Sequence, residues 1–306
     1  MTPRTDADLL VVGAGPAGVS AILTATGLGL RTVLIEGDRV GAKLYAIGAM
    51  DNLPGGWSTG PQLARALDGD VTRAVATGLC SVEYQHAVKI HAQDDVATVR
   101  LTDGRELNAP AVVVATGVKA LGPEDVSWLR TPEIPALPPL WRFQPANLPR
   151  SRGAVVLGAD RPLGTWLRAH PEADVHLHVL HPESDGYKTA EVEHDRRVRL
   201  TAISQASVVQ AVSGGFQVTA QSTDSRSRTF HAEVVLMNVG SKPAGLPGVS
   251  VAEDGYCPQE DQHPRILVAG DLKGPRMQRI AIAMGDGQRA TLSTYYSENQ
   301  VVRTSP

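Results

Sequence analysis

The stretch DLLVVGAGPAGVSAILTATGLGLRTVLIE, residues 8–36, decides the fold of this chain. Its apolar start, residues 9–12, predicts a parallel strand buried on both faces, because such a strand needs no polar alternation. A second strand is expected over residues 32–35. It ends at Glu36, whose carboxylate suits ribose hydroxyls and would repel a 2′-phosphate. Strand, glycine turn, helix, strand and acid in this order predict a dinucleotide site.

Three glycines in the turn after the first strand have different tasks. Gly13 permits the tight turn, Gly15 lets a pyrophosphate approach the backbone, and Gly18 lets the helix pack close to the strand. The helix is expected to begin near Pro16, so that its N-terminal amides and dipole attract phosphate. The alternative is a glycine-rich turn that serves packing alone.

A second part of the site is predicted near the C-terminus. Residues 266–287, ILVAGDLKGPRMQRIAIAMGDG, predict a strand that ends at Gly270 and Asp271 and is followed by a helix. An acid at a strand end can bind a ribityl hydroxyl, while the helix dipole faces the flavin pyrimidine. Residues 111–117, AVVVATG, predict another strand and turn that would close over FAD. Each segment alone also fits an ordinary strand–turn–helix, but the three together favour FAD over NAD.

Five stretches match motifs of one known family, and they are GAGPAG (13–18), GAKLYAIGAMDNLPGG (41–56), TGPQLARAL (59–67), VVVATG (112–117) and VAGDLKGPRMQRIAIAMGDG (268–287). The chain resembles the low-molecular-weight thioredoxin reductases over nearly all of its 306 residues. In that family two Rossmann-type domains bind FAD and NADPH, and a CxxC motif passes electrons to a protein disulfide. The resemblance implies an α/β fold with two Rossmann-like, three-layer ββα nucleotide-binding domains, FAD as cofactor, and a homodimer.

The resemblance also implies which residues bind FAD. Lys43 stands where the family has a glutamine near the flavin, and a solvated loop lysine is the alternative interpretation. Gln278 and Arg279 are expected to begin the last helix, with their amides toward the flavin. No side chain is predicted to be catalytic, which is common where a cofactor carries the chemistry. The predicted cofactor-binding residues are Gly13, Gly15, Pro16, Ala17, Gly18, Glu36, Gly41, Lys43, Leu44, Asn52, Ala115, Thr116, Gly117, Gly270, Asp271, Gln278, Arg279 and Ile280.

The redox dithiol of the family is missing. The two cysteines, Cys80 and Cys257, lie far apart in the sequence, and the family's CxxC position falls near residues 141–144, WRFQ. Exchange between a flavin and a dithiol within one subunit needs a low-pKa thiol beside a resolving thiol. We therefore expect two buried, inert cysteines, with a Cys80–Cys257 pair as the alternative.

A second glycine turn, within residues 154–181, has the architecture of the first without its phosphate-binding residues. Counted from Gly158, Asp160 and Leu163 stand at the two later glycine positions. Asp160 places a side chain where a pyrophosphate should approach the backbone. Pro162 removes an amide donor near the helix start.

Residues 181–185, which follow the next predicted strand, also argue against NADPH binding. Where the family has basic residues that pair with a 2′-phosphate, residues 181–185 read HPESD, with two carboxylates and no arginine. Ordinary NADPH binding is therefore not expected, although Gly164 leaves open a displaced turn that accepts another ligand.

The domain organisation is predicted to be discontinuous. An FAD-binding domain comprises residues 1–117 plus 241–306, and a degenerate NAD(P)H-binding-like domain comprises residues 118–240. Short alternating runs with Asp-Asp and Asp-Gly turns over residues 82–117 predict a β-meander. A similar pattern recurs over residues 207–240, as the family fold implies.

Composition excludes several function classes. The net charge is −3 and the charges are interspersed, so no nucleic acid partner is expected. No apolar run is long enough to span a membrane. Two cysteines fit a reducing cytoplasm, and the start MTPRTDAD leads directly into the first strand, which argues against a signal peptide. His176, His178 and His181 lack metal-ligand spacing, so no metal site is predicted.

The leading hypothesis is an FAD-dependent oxidoreductase without a redox dithiol and without ordinary NADPH binding. Its flavin would be reduced by another donor, either a redox protein or a small-molecule substrate. One alternative is a ferredoxin– or flavodoxin–NADP reductase, since that subgroup also lacks the CxxC. The other is a non-catalytic protein in which FAD has a structural or regulatory role.

Overall fold

The computed structural model describes residues 5–132, 134, 136–147, 153–223 and 226–304, with side chains described up to residue 297. The start of the MTPRTDAD stretch therefore lies outside the described residues. The chain forms two compact units. Unit 1 comprises Met1–Tyr45, Asp51–Lys119 and Lys242–Pro306, and unit 2 comprises Ala46–Met50 and Ala120–Ser241.

Both units combine parallel strands with helices that follow them. In chain order the strands are β1 (Leu9–Val12), β2 (Thr32–Ile35), β3 (Cys80–Glu83), β4 (Ala87–Gln93), β5 (Val96–Leu101), β6 (Glu106–Ala109), β7 (Val112–Val114), β8 (Val118–Ala120), β9 (Leu129–Arg130), β10 (Gly153–Leu157), β11 (His176–Pro182), β12 (Val198–Gln210), β13 (Phe216–Ser222), β14 (Ser227–Ala232), β15 (Val235–Met237), β16 (Ser241–Pro243) and β17 (Ile266–Val268). The α-helices are α1 (Pro16–Gly27), α2 (Gly60–Ala76), α3 (Pro162–Ala169) and α4 (Ile280–Thr304).

Unit 1 is built on a five-stranded parallel sheet with the order β17-β7-β1-β2-β3. All four residues of β1 and of β2 are buried, as their unbroken apolar sequences predict for strands covered on both faces. The order in which strands are added reverses next to β1: β2 and β3 lie on one side of it, and the later strands β7 and β17 lie on the other. In open α/β sheets this is the place where ligands bind, beyond the carboxyl ends of the strands.

Helices α1 and α4 pack closely because small residues face each other. A Cβ atom on Gly287 would collide with the carbonyl oxygen of Ala17. The Thr291 hydroxyl donates to the carbonyl oxygen of Ala21 at 3.2 Å. This contact holds the start of α1 beside α4, and so brings the two predicted cofactor-binding ends of the sequence together.

The predicted meander is confirmed in both units. In unit 1, β4, β5 and β6 form an antiparallel sheet whose buried residues join one apolar core with those of the main sheet. In unit 2, β12, β13 and β14 form the antiparallel counterpart.

Unit 2 contains a seven-stranded mixed sheet with the order β14-β13-β12-β11-β10-β15, and β9 pairs with β12. Strands β15, β10, β11 and β12 run parallel, and α3 connects β10 to β11. This arrangement repeats the β1–α1–β2 arrangement of unit 1. Among the described residues, no helix combines the length and the apolar character that a membrane span requires.

Candidate functional site

The first glycine turn leaves its backbone open. Gly13 has a φ of +100°, and a Cβ atom there would lie 2.6 Å from the carbonyl oxygen of Ala115. A Cβ atom on Gly18 would collide with the carbonyl oxygen of Gly13, whereas one on Gly15 would meet nothing within 4 Å. Gly13 and Gly18 are therefore fixed by packing, while the space above Gly15 is free for a ligand.

Glu36 lies at the end of β2 and is held by backbone amides. Its carboxylate accepts hydrogen bonds from the Ala14 amide at 2.6 Å and from the Asp38 amide at 2.8 Å. Pro16 and Ala17 form the first turn of α1, which begins two residues after Ala14. The turn thus presents an amide-rich helix start and an oriented acid, which is the donor and acceptor set that a dinucleotide requires.

The loop after β7 borders this turn and contains an unsatisfied polar atom. The Ala115 amide donates to the Val12 carbonyl oxygen at 2.8 Å, which joins the loop to the end of β1. Among the described residues, the buried Thr116 hydroxyl oxygen has no hydrogen-bond partner. A buried hydroxyl without a partner costs about 1–3 kcal/mol. This orphan atom fits a site in which a bound molecule supplies the partner.

The loop after β17 brings the predicted acid into the same region. Asp271 accepts a hydrogen bond from the Lys43 ammonium group at 3.2 Å, and a Cβ atom on Gly117 would lie 4.0 Å from its side chain. Lys43 is about half exposed. The structure therefore places Lys43 in an ion pair with Asp271, the acid that we expect to bind the ribityl chain.

Sequence reasoning missed Asp286, which orders this loop. Its carboxylate accepts hydrogen bonds from the Gly270 amide at 3.3 Å and from the Lys273 ammonium group at 3.0 Å. The residue lies in the second turn of α4 and within the quoted stretch 268–287, but it was not among the predicted cofactor-binding residues. The signal that could have found it is an acid on the helix that follows the Gly270-Asp271 turn.

The segment after β2 contributes three more of the predicted residues besides Glu36 and Lys43. The Gly41 amide donates to the Ala14 carbonyl oxygen at 2.9 Å, and Leu44 is buried beneath the segment. Asn52 lies in an exposed loop. The structure therefore joins Gly41 and Leu44 to the first turn and leaves Asn52 at the surface of unit 1.

The expected start of the last helix is wrong by two residues. Helix α4 begins at Ile280, so Gln278 and Arg279 precede it. The Gln278 side chain donates to the Tyr256 hydroxyl at 3.1 Å and to the Asp271 carbonyl oxygen at 3.3 Å. These bonds hold the segment extended ahead of the helix, and the Arg279 carbonyl then accepts the Ala283 amide at 2.9 Å.

The second glycine turn repeats the scaffold of the first. Gly158 has a φ of +92°, and a Cβ atom there would lie 2.5 Å from the Asn238 carbonyl oxygen. Its amide donates to the Leu180 carbonyl oxygen at 2.8 Å, as that of Gly13 does to Ile35. By this equivalence His181, which is buried, takes the place that Glu36 has in unit 1.

An ion-pair cluster fills the second turn. The Lys188 ammonium group lies 3.4 Å from the Asp160 carboxylate and 3.1 Å from that of Asp185. Burial lowers the pKa of Lys188, but attraction to Asp160 and Asp185 outweighs it, so the pKa lies above its ordinary value. The Asn238 side-chain amide also donates to the Asp160 carbonyl oxygen at 2.8 Å. The polar groups of this turn are therefore satisfied from within the chain.

Lys188 corrects the sequence interpretation of this segment. We expected two carboxylates and no basic partner in residues 181–185, but a 3-10 helix, Glu183–Lys188, returns a lysine to one of them, Asp185. Gly164 lies against the end of the Glu191 side chain. Lys188 is an internal counter-ion shared by Asp160 and Asp185.

Both cysteines are free and buried. Burial raises the pKa of the Cys80 thiol to about 11. Burial, with a smaller contribution from Asp254, also raises the pKa of Cys257. Neither thiol has the low pKa that a redox dithiol needs. Among the described residues, no group of histidine, cysteine and acidic side chains could hold a metal ion.

Known proteins match this architecture. The family model described as pyridine nucleotide-disulphide oxidoreductase matches residues 7–127. A component of the alkyl hydroperoxide reductase of Pseudomonas putida is 26% identical over 319 residues, which cover 97% of this chain and 59% of that protein. Thioredoxin reductase of Listeria innocua is 25% identical over 303 residues, which cover 92% of this chain and 90% of that protein. The chain thus spans about three fifths of the length of the hydroperoxide reductase component.

Solved structures match the fold. The thioredoxin reductase of Lactococcus lactis has a TM-score of 0.75 at 16% identity and covers 95% of this chain and 98% of its own. That of T. acidophilum has a TM-score of 0.72 at 20% identity and covers 96% of this chain and 99% of its own. The predicted α/β fold class with two Rossmann-like units is confirmed, as is the resemblance. The chain shares the fold of these thioredoxin reductases, and its residues 7–127 match the pyridine nucleotide-disulphide oxidoreductase family.

Proposed function

We propose that unit 1 binds FAD and that the chain is an oxidoreductase whose flavin receives electrons from a donor other than NADPH or an internal dithiol. The observation that carries this proposal is the contrast between the turns. The backbone above Gly15 is open, whereas Asp160 in the second turn is paired with Lys188. The relatives' names, thioredoxin reductase and alkyl hydroperoxide reductase, support an oxidoreductase.

The residues of the first turn would hold the cofactor as follows. The pyrophosphate would lie in the space above Gly15, against the amides at the start of α1. The Glu36 carboxylate would accept hydrogen bonds from the ribose hydroxyls. Asp271 would bind the ribityl chain, and the Thr116 hydroxyl would gain the partner that it lacks. When bound, FAD would supply two-electron redox chemistry.

The direct test is a spectroscopic titration of the purified protein. A flavin spectrum is expected. Under anaerobic conditions dithionite should bleach it within seconds, whereas NADPH and NADH at 1 mM should leave it oxidised. Purified protein that neither contains FAD nor takes it up would contradict the proposal at its first step. The thioredoxin reductase of Listeria innocua, which the chain matches over most of its length, is a suitable positive control for bleaching by NADPH.

One observation favours a second candidate, a ferredoxin– or flavodoxin–NADP reductase. Lys188 places a cation beside the second turn, where a 2′-phosphate could displace Asp160 as its partner. Rapid bleaching by NADPH, but not by NADH, would favour this candidate over the first. A flavin that dithionite reduces, and that neither oxygen nor any carrier reoxidises, would instead favour a structural or regulatory role.

We further propose a cytoplasmic homodimer whose partner is a redox protein or a small-molecule substrate. Helix α4 presents exposed side chains, among them Tyr296, which is 59% exposed in the isolated chain. Light scattering of the purified protein would give the number of subunits. A monomer at micromolar concentration would contradict the dimer.

A further inference from the structure

Unit 2 contains a cavity that the proposed function does not use. It has a volume of about 520 Å³, within the range of small-molecule sites. Its wall is formed by the first residues of β10, β11 and β12 and by the end of β14. The cavity therefore lies at the amino ends of the parallel strands. The second glycine turn follows the carboxyl end of β10, which is about 16 Å away for a five-residue strand.

The sheet register places a cation and a titratable ring on the same face of this cavity. Val155, His178 and Arg199 are directly paired neighbours in β10, β11 and β12, so their side chains leave the sheet on one side. The His178 ring stacks on Phe230 with centroids 5.2 Å apart and planes at 29°. Its Nε2 atom lies 3.0 Å from the Thr201 hydroxyl. The lining of the cavity thus includes an aromatic stack and Arg199.

The three arginines at the cavity differ in their ion pairs with the described residues. Arg197 is already bound to the Asp195 carboxylate at 2.7 Å and to the His170 carbonyl oxygen at 2.7 Å. Arg196 and Arg199, by contrast, have no ion pair with any described residue. His176 and His231 also line the cavity.

The field in the cavity is positive. Burial lowers the pKa of His178, and the charges of Arg199 and Arg228 lower it further. Glu233 is the acidic side chain among the lining residues, and it is exposed to solvent. Unpaired guanidinium groups present forked donors that match the geometry of phosphate oxygens.

We propose that this cavity binds a small organic phosphate, with its phosphate group against Arg199 and a planar ring against Phe230. The proposal is independent of how the flavin is reduced. It differs from a bare anion site because the Phe230–His178 stack offers an apolar surface for a ring.

Calorimetric titration of the full chain with AMP tests the proposal. FAD is kept in excess, so that AMP does not enter the first glycine turn. We expect AMP to bind with a Kd below about 1 mM. Arg199→Gln should weaken binding at least tenfold. Arg130→Gln, which removes one exposed charge from β9 of the same unit away from the cavity, should leave the Kd unchanged.

Two further ligands separate the parts of the proposal. Ribose 5-phosphate and inorganic phosphate should bind at least fivefold more weakly than AMP, and Phe230→Leu should remove that difference. Equal binding of AMP and inorganic phosphate would overturn the ring contact. Failure of AMP to bind at 1 mM, or equal affinity in the Arg199→Gln and Arg130→Gln variants, would overturn the site. Bleaching of the flavin by NADPH would overturn the proposed function and leave these outcomes unaffected.

Discussion

The two glycine turns share one backbone and differ in what occupies the space above it. In both, the first glycine has a φ near +95°, and its amide donates to the neighbouring strand at 2.8 Å. A Cβ atom on Gly15 would meet nothing within 4 Å, whereas Asp160 and Lys188 form an ion pair 3.4 Å long at the second turn. The comparison teaches that the first glycine serves strand packing in both turns, whatever occupies the space above the backbone.

The largest expected effect comes from the glycine that packing fixes. Gly18→Ala should lower the free energy of unfolding by about 3 kcal/mol, because the added methyl group meets the Gly13 carbonyl and forces backbone to move. Urea denaturation followed by circular dichroism measures this loss. Gly27→Ala, in the same helix with nothing within 4 Å, should instead stabilise by roughly 0.5–1 kcal/mol. Equal effects of the two variants would show that the close approach in the first turn is not a constraint.

The next effect separates binding from folding. Gly15→Ala should weaken FAD binding roughly tenfold to a hundredfold, about 1.4–2.8 kcal/mol, because a methyl group would enter the space reserved for the pyrophosphate. The melting temperature of the FAD-free protein should not change, since Gly15 has an extended φ of −74° that alanine also adopts. Fluorescence titration of the apoprotein with FAD gives the Kd. An unaltered Kd would mean that the first turn is not the cofactor site.

The sequence predicts those features of the two turns that depend on neighbouring residues, and it misses those that depend on residues far apart in the chain. Strands β1 and β2 and the start of α1 were predicted at their observed bounds, because an apolar run and a glycine spacing are local signals. Lys188 was missed because its role depends on a 3-10 helix that brings it back to Asp160. The start of α4 was placed too early because Gln278 is held extended by Tyr256, a contact 22 residues away. The first turn is thus encoded locally, whereas the second is completed by distant side chains.

A smaller effect tests the internal counter-ion of the second turn. Lys188→Gln should lower the free energy of unfolding by about 1 kcal/mol at pH 7, because it leaves Asp160 and Asp185 close together without a cation. Lys89→Gln, which removes an exposed lysine, serves as the charge-matched control and should change stability by less than about 0.5 kcal/mol.

The same pair of variants has a defined pH dependence. The pKa of Lys188 is raised in the folded state, so its contribution is fully present below its ordinary pKa and is lost as pH rises through the folded value. The difference between wild type and Lys188→Gln should therefore stay constant from pH 7 to pH 9 and shrink above pH 10. A difference that instead grew with pH would mean that the lysine is not held as a cation by Asp160 and Asp185.

The smallest expected effect is the attempt to restore the second turn. Asp160→Gly removes the carboxylate and frees one side of Lys188, yet NADPH affinity should rise by less than about tenfold. Leu163 still stands where the first turn has Gly18, and Lys188 remains paired with Asp185. Bleaching of the flavin by 1 mM NADPH, followed anaerobically at 450 nm, compares the variant with the wild-type protein. Rapid bleaching in Asp160→Gly alone would show that this one side chain closes the turn to NADPH.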